Sequence, residues 1–66
     1  MKLTVNGQEK SFEGTVSVSE LLQALKLDPQ RVAVEHNRTI VLREEFATLQ
    51  LADGDALEIV QFVGGG

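Results

Sequence analysis

Three consecutive glycines, Gly64, Gly65 and Gly66, are the residues of this sequence with the clearest chemical possibility. They have no Cβ to pack and a high backbone entropy, so they neither extend a strand nor join a core. A peptide this thin can thread a narrow channel and deliver a terminal carboxylate to another protein's active site. We therefore predict that the carboxylate of Gly66 is the reacting group and that Gly64 and Gly65 pass through the channel of the partner. The alternative is a passive, linker-like end.

The polar side chains offer no competing active site. With His36 as the single histidine, a multi-histidine metal cluster is impossible, and we place His36 in a hairpin turn as a solvated imidazole. We interpret Glu44–Glu45, Asp53 and Asp55 as solvated turn residues, and Ser17 as a helix cap. The sequence thus predicts no catalytic residue and no bound metal.

Size and charge narrow the class of protein. A chain of 66 residues closes around one small core, and 42% hydrophobic with 24% charged residues is an ordinary globular composition. No cysteine is present, so packing alone must hold the fold.

A net charge of −4 disfavours nucleic acid and membrane surfaces as partners. It would suit docking on a basic protein surface, although solubility alone explains it. With no apolar run of signal or membrane length, we expect a cytoplasmic protein.

The first half of the chain predicts a hairpin and a helix. Asn6-Gly7 supplies the two positive φ angles of a type I′ turn between two short strands. Ser17 and Glu20 have the spacing of a capping box, and a stripe of apolar residues follows. Asp28-Pro29 is expected to end the helix, since proline pushes the preceding residue out of the α region.

The second half predicts another hairpin, a short connection and a last strand. The β-branched runs Val32–Glu35 and Thr39–Leu42 flank a turn at residues 36–38. Residues 43–51 could form one turn of helix against the core, and the last strand spans Ala56–Phe62. The element order is ββαββ, a connection, then β. It matches an α+β roll of the β-grasp type, with a mixed five-stranded sheet and one main helix on one face.

The parity of the last strand divides its side chains between two faces of the sheet. Leu57 and Ile59 share one face, and Val60 and Phe62 lie on the other. If the first face meets the helix, the second is open, and with Val63 it forms a candidate surface for docking a partner. The alternative is that the connection around Phe46 folds over Val60 and Phe62 as part of the core.

The whole chain resembles a known family. The residues that carry the resemblance are Val32–Asn37, Ile40-Val41, Arg43-Glu44, Leu51–Asp55 and the ending Glu58–Gly66. Together they resemble the thiamin-biosynthesis sulfur carriers, the ThiS family of ubiquitin-like β-grasp proteins. The chain departs from the family in its central hairpin, where Asn37-Arg38 stands in place of a frequent Asn-Gly. The resemblance implies a β-grasp domain over residues 1–63 and a flexible tail over residues 64–66.

The resemblance also implies a reaction cycle. An E1-like adenylating enzyme (ThiF-like) would use ATP and Mg²⁺ to convert the Gly66 carboxylate to an acyl-adenylate. A sulfur source such as a cysteine desulfurase would then give a Gly66 thiocarboxylate, which thiazole synthase (ThiG-like) would consume. The chain would be a carrier and co-substrate rather than an enzyme, and it would bind no cofactor itself. Two alternatives stay open: a sulfur carrier for molybdopterin or another product, and a ubiquitin-like interaction or conjugation module.

Overall fold

A computed structural model describes residues 1–14 and 16–63. Within these residues the elements are β1 (Lys2–Val5), β2 (Gln8–Ser11), α1 (Val18–Ala24), a 3₁₀ turn (Pro29–Arg31), β3 (Val32–His36), β4 (Thr39–Val41), a second 3₁₀ turn (Arg43–Glu45) and β5 (Ala56–Gln61). The strands form one mixed sheet in the order β2-β1-β5-β3-β4, so the last strand lies at its centre.

The first hairpin forms as the sequence predicts. β1 and β2 are antiparallel, and Val5 lies opposite Gln8 across a two-residue turn. Asn6 and Gly7 have φ angles of 50° and 81°. Two successive positive φ angles give a type I′ turn, whose twist matches that of the paired strands.

The helix begins as predicted but ends earlier than expected. The Glu20 N–H donates to the Ser17 hydroxyl at 3.1 Å, and the Ser17 N–H donates to the Glu20 carboxylate at 2.8 Å, which confirms the capping box. The prediction that Asp28-Pro29 ends the helix is wrong. Lys26 adopts a φ of 61°, and the Leu27 N–H donates to the Leu22 carbonyl, which closes a Schellman motif. Asp28 instead caps the first 3₁₀ turn.

The second hairpin is tighter than the sequence suggests. β3 extends through His36, and only Asn37 and Arg38 form the turn, with φ angles of 49° and 70°. The placement of His36 in the turn is therefore wrong, because His36 is a strand residue opposite Thr39. Its side chain has a fixed direction as a result.

The connection after β4 packs against the helix side of the sheet. Phe46 is 4% exposed and belongs to the core, and the Phe46 carbonyl accepts from the Ser19 N–H at the start of α1. The Arg43 guanidinium donates to the carbonyls of Pro29 and Val32, both at 3.0 Å, and so ties the second 3₁₀ turn to the first. The prediction of a helical turn against the core is confirmed. The core consists of Leu3, Val5, Val18, Leu21, Leu22, Val32, Val34, Val41, Phe46, Leu51, Leu57 and Ile59.

Candidate functional site

The central strand β5 presents two different faces, as its parity predicts. Leu57 and Ile59 are buried in the core beneath α1, whereas Val60 is 59% exposed and Phe62 is 55% exposed on the opposite face. Val63, directly before the glycines, is 86% exposed. The alternative in which the Phe46 segment covers Val60 and Phe62 is wrong, because Phe46 lies in the core on the helix side.

The exposed apolar surface extends beyond β5. Ala33 lies directly opposite Val60, and Ile40 lies opposite Glu35 on the same face, so β3 and β4 continue the surface. Leu42 follows two residues after Ile40 and is also exposed. We call Ile40, Leu42, Val60, Phe62 and Val63 the apolar patch.

Sequence reasoning missed Ile40 and Leu42. The run Thr39–Leu42 reads as uniformly strand-forming, so burial is its default interpretation. The available signal was the period of two along a strand: if Val41 faces the core, Ile40 and Leu42 must face away from it. The structure has Val41 buried and both of its neighbours exposed.

An acidic pair borders the apolar patch. Glu35 and Glu58 are directly opposite each other on β3 and β5, and both share the face of Val60. Like charges directly opposite each other in a sheet destabilise it. A partner surface with a cation at this place would relieve the repulsion, so the face combines an apolar centre with a site of negative potential.

The predicted reacting residue and its two threading neighbours, Gly64–Gly66, lie outside the described residues. The structure fixes where the chain reaches them: β5 ends at Gln61, and the Phe62 N–H still donates to the Arg31 carbonyl at 2.7 Å. The tail therefore begins at the border of the apolar patch.

Two asparagine side chains, one in each hairpin turn, form hydrogen bonds with the backbone of β5. The Ile59 N–H donates to Asn6 Oδ1 at 2.7 Å, and Asn6 Nδ2 donates to the Ile59 carbonyl at 3.1 Å. At the start of the strand, the Ala56 N–H donates to Asn37 Oδ1 at 2.9 Å. Both contacts join residues far apart in sequence, so neither could be predicted from local patterns.

The interpretation of Asp55 as a solvated turn residue is wrong, because its side chain is only 15% exposed. Asp53 is exposed in the turn, as predicted. Asp53 Oδ1 accepts the Lys2 N–H at 2.6 Å. Asp55 Oδ2 accepts from His36 Nε2 at 2.6 Å and from the Ala52 N–H at 2.8 Å, and Asn37 Nδ2 donates to its other oxygen. Burial acts to raise the pKa of Asp55, but the hydrogen bonds from Ala52, His36 and Asn37 outweigh it and hold that pKa below its usual value.

These polar contacts connect structural elements rather than form a cavity with free reactive groups. In residues 1–14 and 16–63 no group of three His, Cys, Asp or Glu side chains is placed to hold a metal ion. The same residues contain no buried side-chain nitrogen or oxygen without a hydrogen-bond partner. No helix among them has the length and apolar character of a membrane span.

Comparisons with known proteins agree with this fold. The chain is 37% identical to the Bacillus subtilis sulfur carrier protein ThiS over 65 residues, which cover 97% of this chain and 98% of that protein. A crystal structure of the thiamine biosynthesis protein ThiS from Geobacter metallireducens superposes with a TM-score of 0.85 at 43% identity, with full coverage of both chains. The β-grasp prediction is thereby confirmed.

Longer relatives also match. A protein of Paramagnetospirillum magneticum named thiazole synthase is 47% identical over 66 residues, and this chain spans only 20% of its length. A second thiazole synthase, from Magnetococcus marinus, is 36% identical, again over 20% of its length. A model of the ThiS family matches residues 3–66, and the chain belongs to the ThiS family.

Proposed function

We propose that this chain is a sulfur carrier for thiamin biosynthesis whose Gly66 carboxylate is converted to a thiocarboxylate. The observation that carries the proposal is the arrangement around β5: a helix-backed strand with an exposed apolar face leads directly into three glycines. A docking face and a thin carboxylate-bearing tail are what a carrier needs, since the partner enzymes supply all the chemistry. The membership of the ThiS family supports the same function.

The chemistry requires activation, because a carboxylate is anionic and has no good leaving group. An E1-like partner would use ATP and Mg²⁺ to form an acyl-adenylate at Gly66, releasing pyrophosphate. The terminal sulfur of a persulfide, supplied from a cysteine desulfurase, would then attack the carbonyl carbon, and AMP would leave. A thiol would reduce the resulting acyl disulfide and release the Gly66 thiocarboxylate. The carrier contributes no acid, base or nucleophile to any of these steps, so it acts as a co-substrate of its partners.

We infer that thiazole synthase accepts the sulfur. Two relatives that are themselves named thiazole synthase contain a segment similar to this entire chain within a polypeptide of which it forms 20%. Covalent union of two functions in one chain raises their effective concentration, which favours partners that meet in the same reaction.

The apolar patch is the surface we propose for docking the adenylating enzyme. Val60, Phe62 and Val63 lie next to the tail, so a partner that holds them also places the glycines near its own active site. Exposed apolar patches on small soluble domains commonly mark protein interaction sites. Interface aromatics such as Phe62 often contribute a large share of the binding energy.

The tail itself provides the first test. Gly65→Phe should abolish thiocarboxylate formation, because a side chain in a narrow channel displaces a reacting carbonyl, and a displacement of ~1 Å can cost about 10²-fold in rate. Deletion of Gly66 should have the same effect by shortening the tail. Neither change should alter the free energy of unfolding by more than about 0.5 kcal/mol, the usual range for surface substitutions.

The measurement is intact mass after incubation with the adenylating enzyme, ATP and a sulfur source. The wild-type chain should gain the mass difference between one sulfur and one oxygen atom. A Gly65→Phe chain that gains this mass at the wild-type rate would show that the tail is not threaded. Attachment of the wild-type chain to a lysine of another protein would instead indicate a conjugation module.

A further inference from the structure

We propose that Asn6 is a positioning residue for the reaction at Gly66, because its side-chain amide fixes the half of β5 that leads into the tail. This inference rests on the proposed function, since it concerns delivery of the same carboxylate. Asn6 touches neither the tail nor a partner in our proposal; it acts through the backbone of Ile59.

The amide of Asn6 takes the place of a missing strand residue. β1 and β5 are parallel, and their backbone pairing ends where Val5 lies beside Leu57. The Asn6 N–H then donates to the Leu57 carbonyl at 2.9 Å. Two residues further along β5, the Asn6 side chain accepts from the Ile59 N–H and donates to the Ile59 carbonyl, as a backbone residue would.

The turn alone does not require this amide. A type I′ turn needs positive φ at residues 6 and 7, and glycine or aspartate would also satisfy position 6. Of these three residue types, only asparagine offers both a donor and an acceptor to the two backbone groups of Ile59. The part-buried bonds to Ile59 are therefore a function of Asn6 that is separate from its turn conformation.

The location of these bonds gives them their consequence. β3 pairs with one side of β5 as far as Gln61, and the Phe62 N–H donates to the carbonyl of Arg31 in the 3₁₀ turn before β3. On the other side, Ile59 is the last residue of β5 with a hydrogen bond to β1 or its turn within the described part of the chain. Asn6 thus sets the direction in which residues 62 and 63 leave the sheet, and with it the place at which the glycines are presented to a partner docked on the apolar patch.

The second hairpin supplies a matched control. Asn37 has the same residue type, a similar φ of 49° and a place in the other two-residue turn. Its backbone N–H donates to the Ala56 carbonyl at 2.8 Å, and its Oδ1 accepts the Ala56 N–H at 2.9 Å. Asn37 therefore holds the start of β5 with bonds like those that Asn6 makes near the end.

The experiment compares Asn6→Gly with Asn37→Gly in the full chain, at a temperature where circular dichroism shows both folded. Asn6→Gly should lower kcat for thiocarboxylate formation about tenfold or more, with a smaller change in KM, because every side chain of the patch is retained while the carbonyl is misplaced. It should also speed hydrogen exchange at the Phe62 amide. Asn37→Gly should leave kcat within about twofold of the wild-type value.

Asn6→Asp keeps the experiment decisive if Asn6→Gly does not fold. It retains the acceptor for the Ile59 N–H but turns a carboxylate oxygen towards the Ile59 carbonyl, so kcat should again fall. A wild-type kcat in the Asn6 variants, or an equal loss in Asn37→Gly, overturns the inference. If the wild-type chain gains no sulfur, the proposed function fails, and exchange at Phe62 decides separately whether Asn6 fixes the strand.

Discussion

At the scale of single residues, side chains in this protein complete hydrogen bonds that the backbone leaves open. The amides of Asn6 and Asn37 bond β5 from two hairpin turns, and the carboxylate of Asp55 gathers donors from a strand and a turn. Unsatisfied buried groups cost ~1–3 kcal/mol each, so such residues matter in a chain with so small a core. Each of them fixes one part of the sheet and its turns.

The stability that Asp55 contributes should depend on pH. The pKa of Asp55 is lower in the folded protein than in the unfolded chain. Its contribution to stability is therefore complete at pH values above the pKa of the unfolded chain, and it is lost as pH falls through the pKa of the folded protein. Asp55→Asn should therefore destabilise the protein at pH 7 by ~1–3 kcal/mol, since the amide turns a donor towards existing donors. The difference between wild type and variant should shrink below about pH 4.

Urea unfolding from pH 7 to pH 2.5 measures this difference directly. A constant difference in the free energy of unfolding between wild type and Asp55→Asn over that range would contradict the lowered pKa of Asp55. The loss at neutral pH should also appear in His36→Ala, which removes the 2.6 Å contact to Asp55.

At the scale of elements, β5 does two separate tasks with alternate residues. Its helix-facing side chains complete the core, and its outward side chains form the centre of the apolar patch. Because β1 and β3 both pair with it, β5 lies at the centre of the sheet, yet it is also the element that leads to the proposed reacting residue. Substitutions in one face should therefore change folding, and those in the other should change binding.

Two phenylalanines make this division testable. Phe62→Ala should weaken binding of the adenylating enzyme by ~2 kcal/mol or more, as is common for interface aromatics, and should destabilise the fold less than that. Phe46→Ala is the matched control: Phe46 is buried in the core, so its loss should cost ~3–5 kcal/mol of folding free energy. The affinity of the folded fraction of Phe46→Ala should be close to that of wild type.

Calorimetric titration and thermal melting of the two variants separate the effects. If Phe62→Ala binds like wild type and loses its melting transition, Phe62 is a core residue and the apolar patch is not the docking face.

At the scale of the whole molecule, local signals predicted the fold well where they were self-contained. The Asn6-Gly7 turn, the Ser17 capping box and the parity of β5 each depend on a few adjacent residues. The helix end at Lys26 was missed because no glycine marks that left-handed position. His36 was misplaced in the turn because Arg38 adopts a positive φ angle, which leaves only two residues in the turn. Arginine has no local preference for that conformation.

The candidate site divides in the same way. The glycines and Val60, Phe62 and Val63 follow from residue type and alternation. The contact between Asn6 and Ile59 spans 53 positions and exists only because β5 returns to the centre of the sheet beside β1. Such a contact is a property of the topology rather than of a motif.

The size of the molecule links folding to docking. At ~0.05–0.15 kcal/mol per residue, a 66-residue domain has a total stability of only about 3–10 kcal/mol. Leu57→Ala, in the core face of β5, should cost ~2–5 kcal/mol and leave little margin. A partner that binds only the folded chain, at a concentration 100 times its Kd, stabilises that chain by ~2.7 kcal/mol. It should therefore slow global hydrogen exchange of Leu57→Ala about 100-fold.

The double variant Leu57→Ala/Phe62→Ala provides the comparison. If Phe62→Ala weakens binding by ~2 kcal/mol, the same partner concentration is only about three times the new Kd. The partner should then slow global hydrogen exchange of the double variant only about fourfold. Exchange of the buried β1 amides, followed by mass spectrometry with the adenylating enzyme present, measures both values. Equal protection of the single and double variants would mean that the enzyme stabilises the carrier through a surface other than the apolar patch. Protection that depends on Phe62 would show that the enzyme stabilises the folded carrier by binding the outward face of β5.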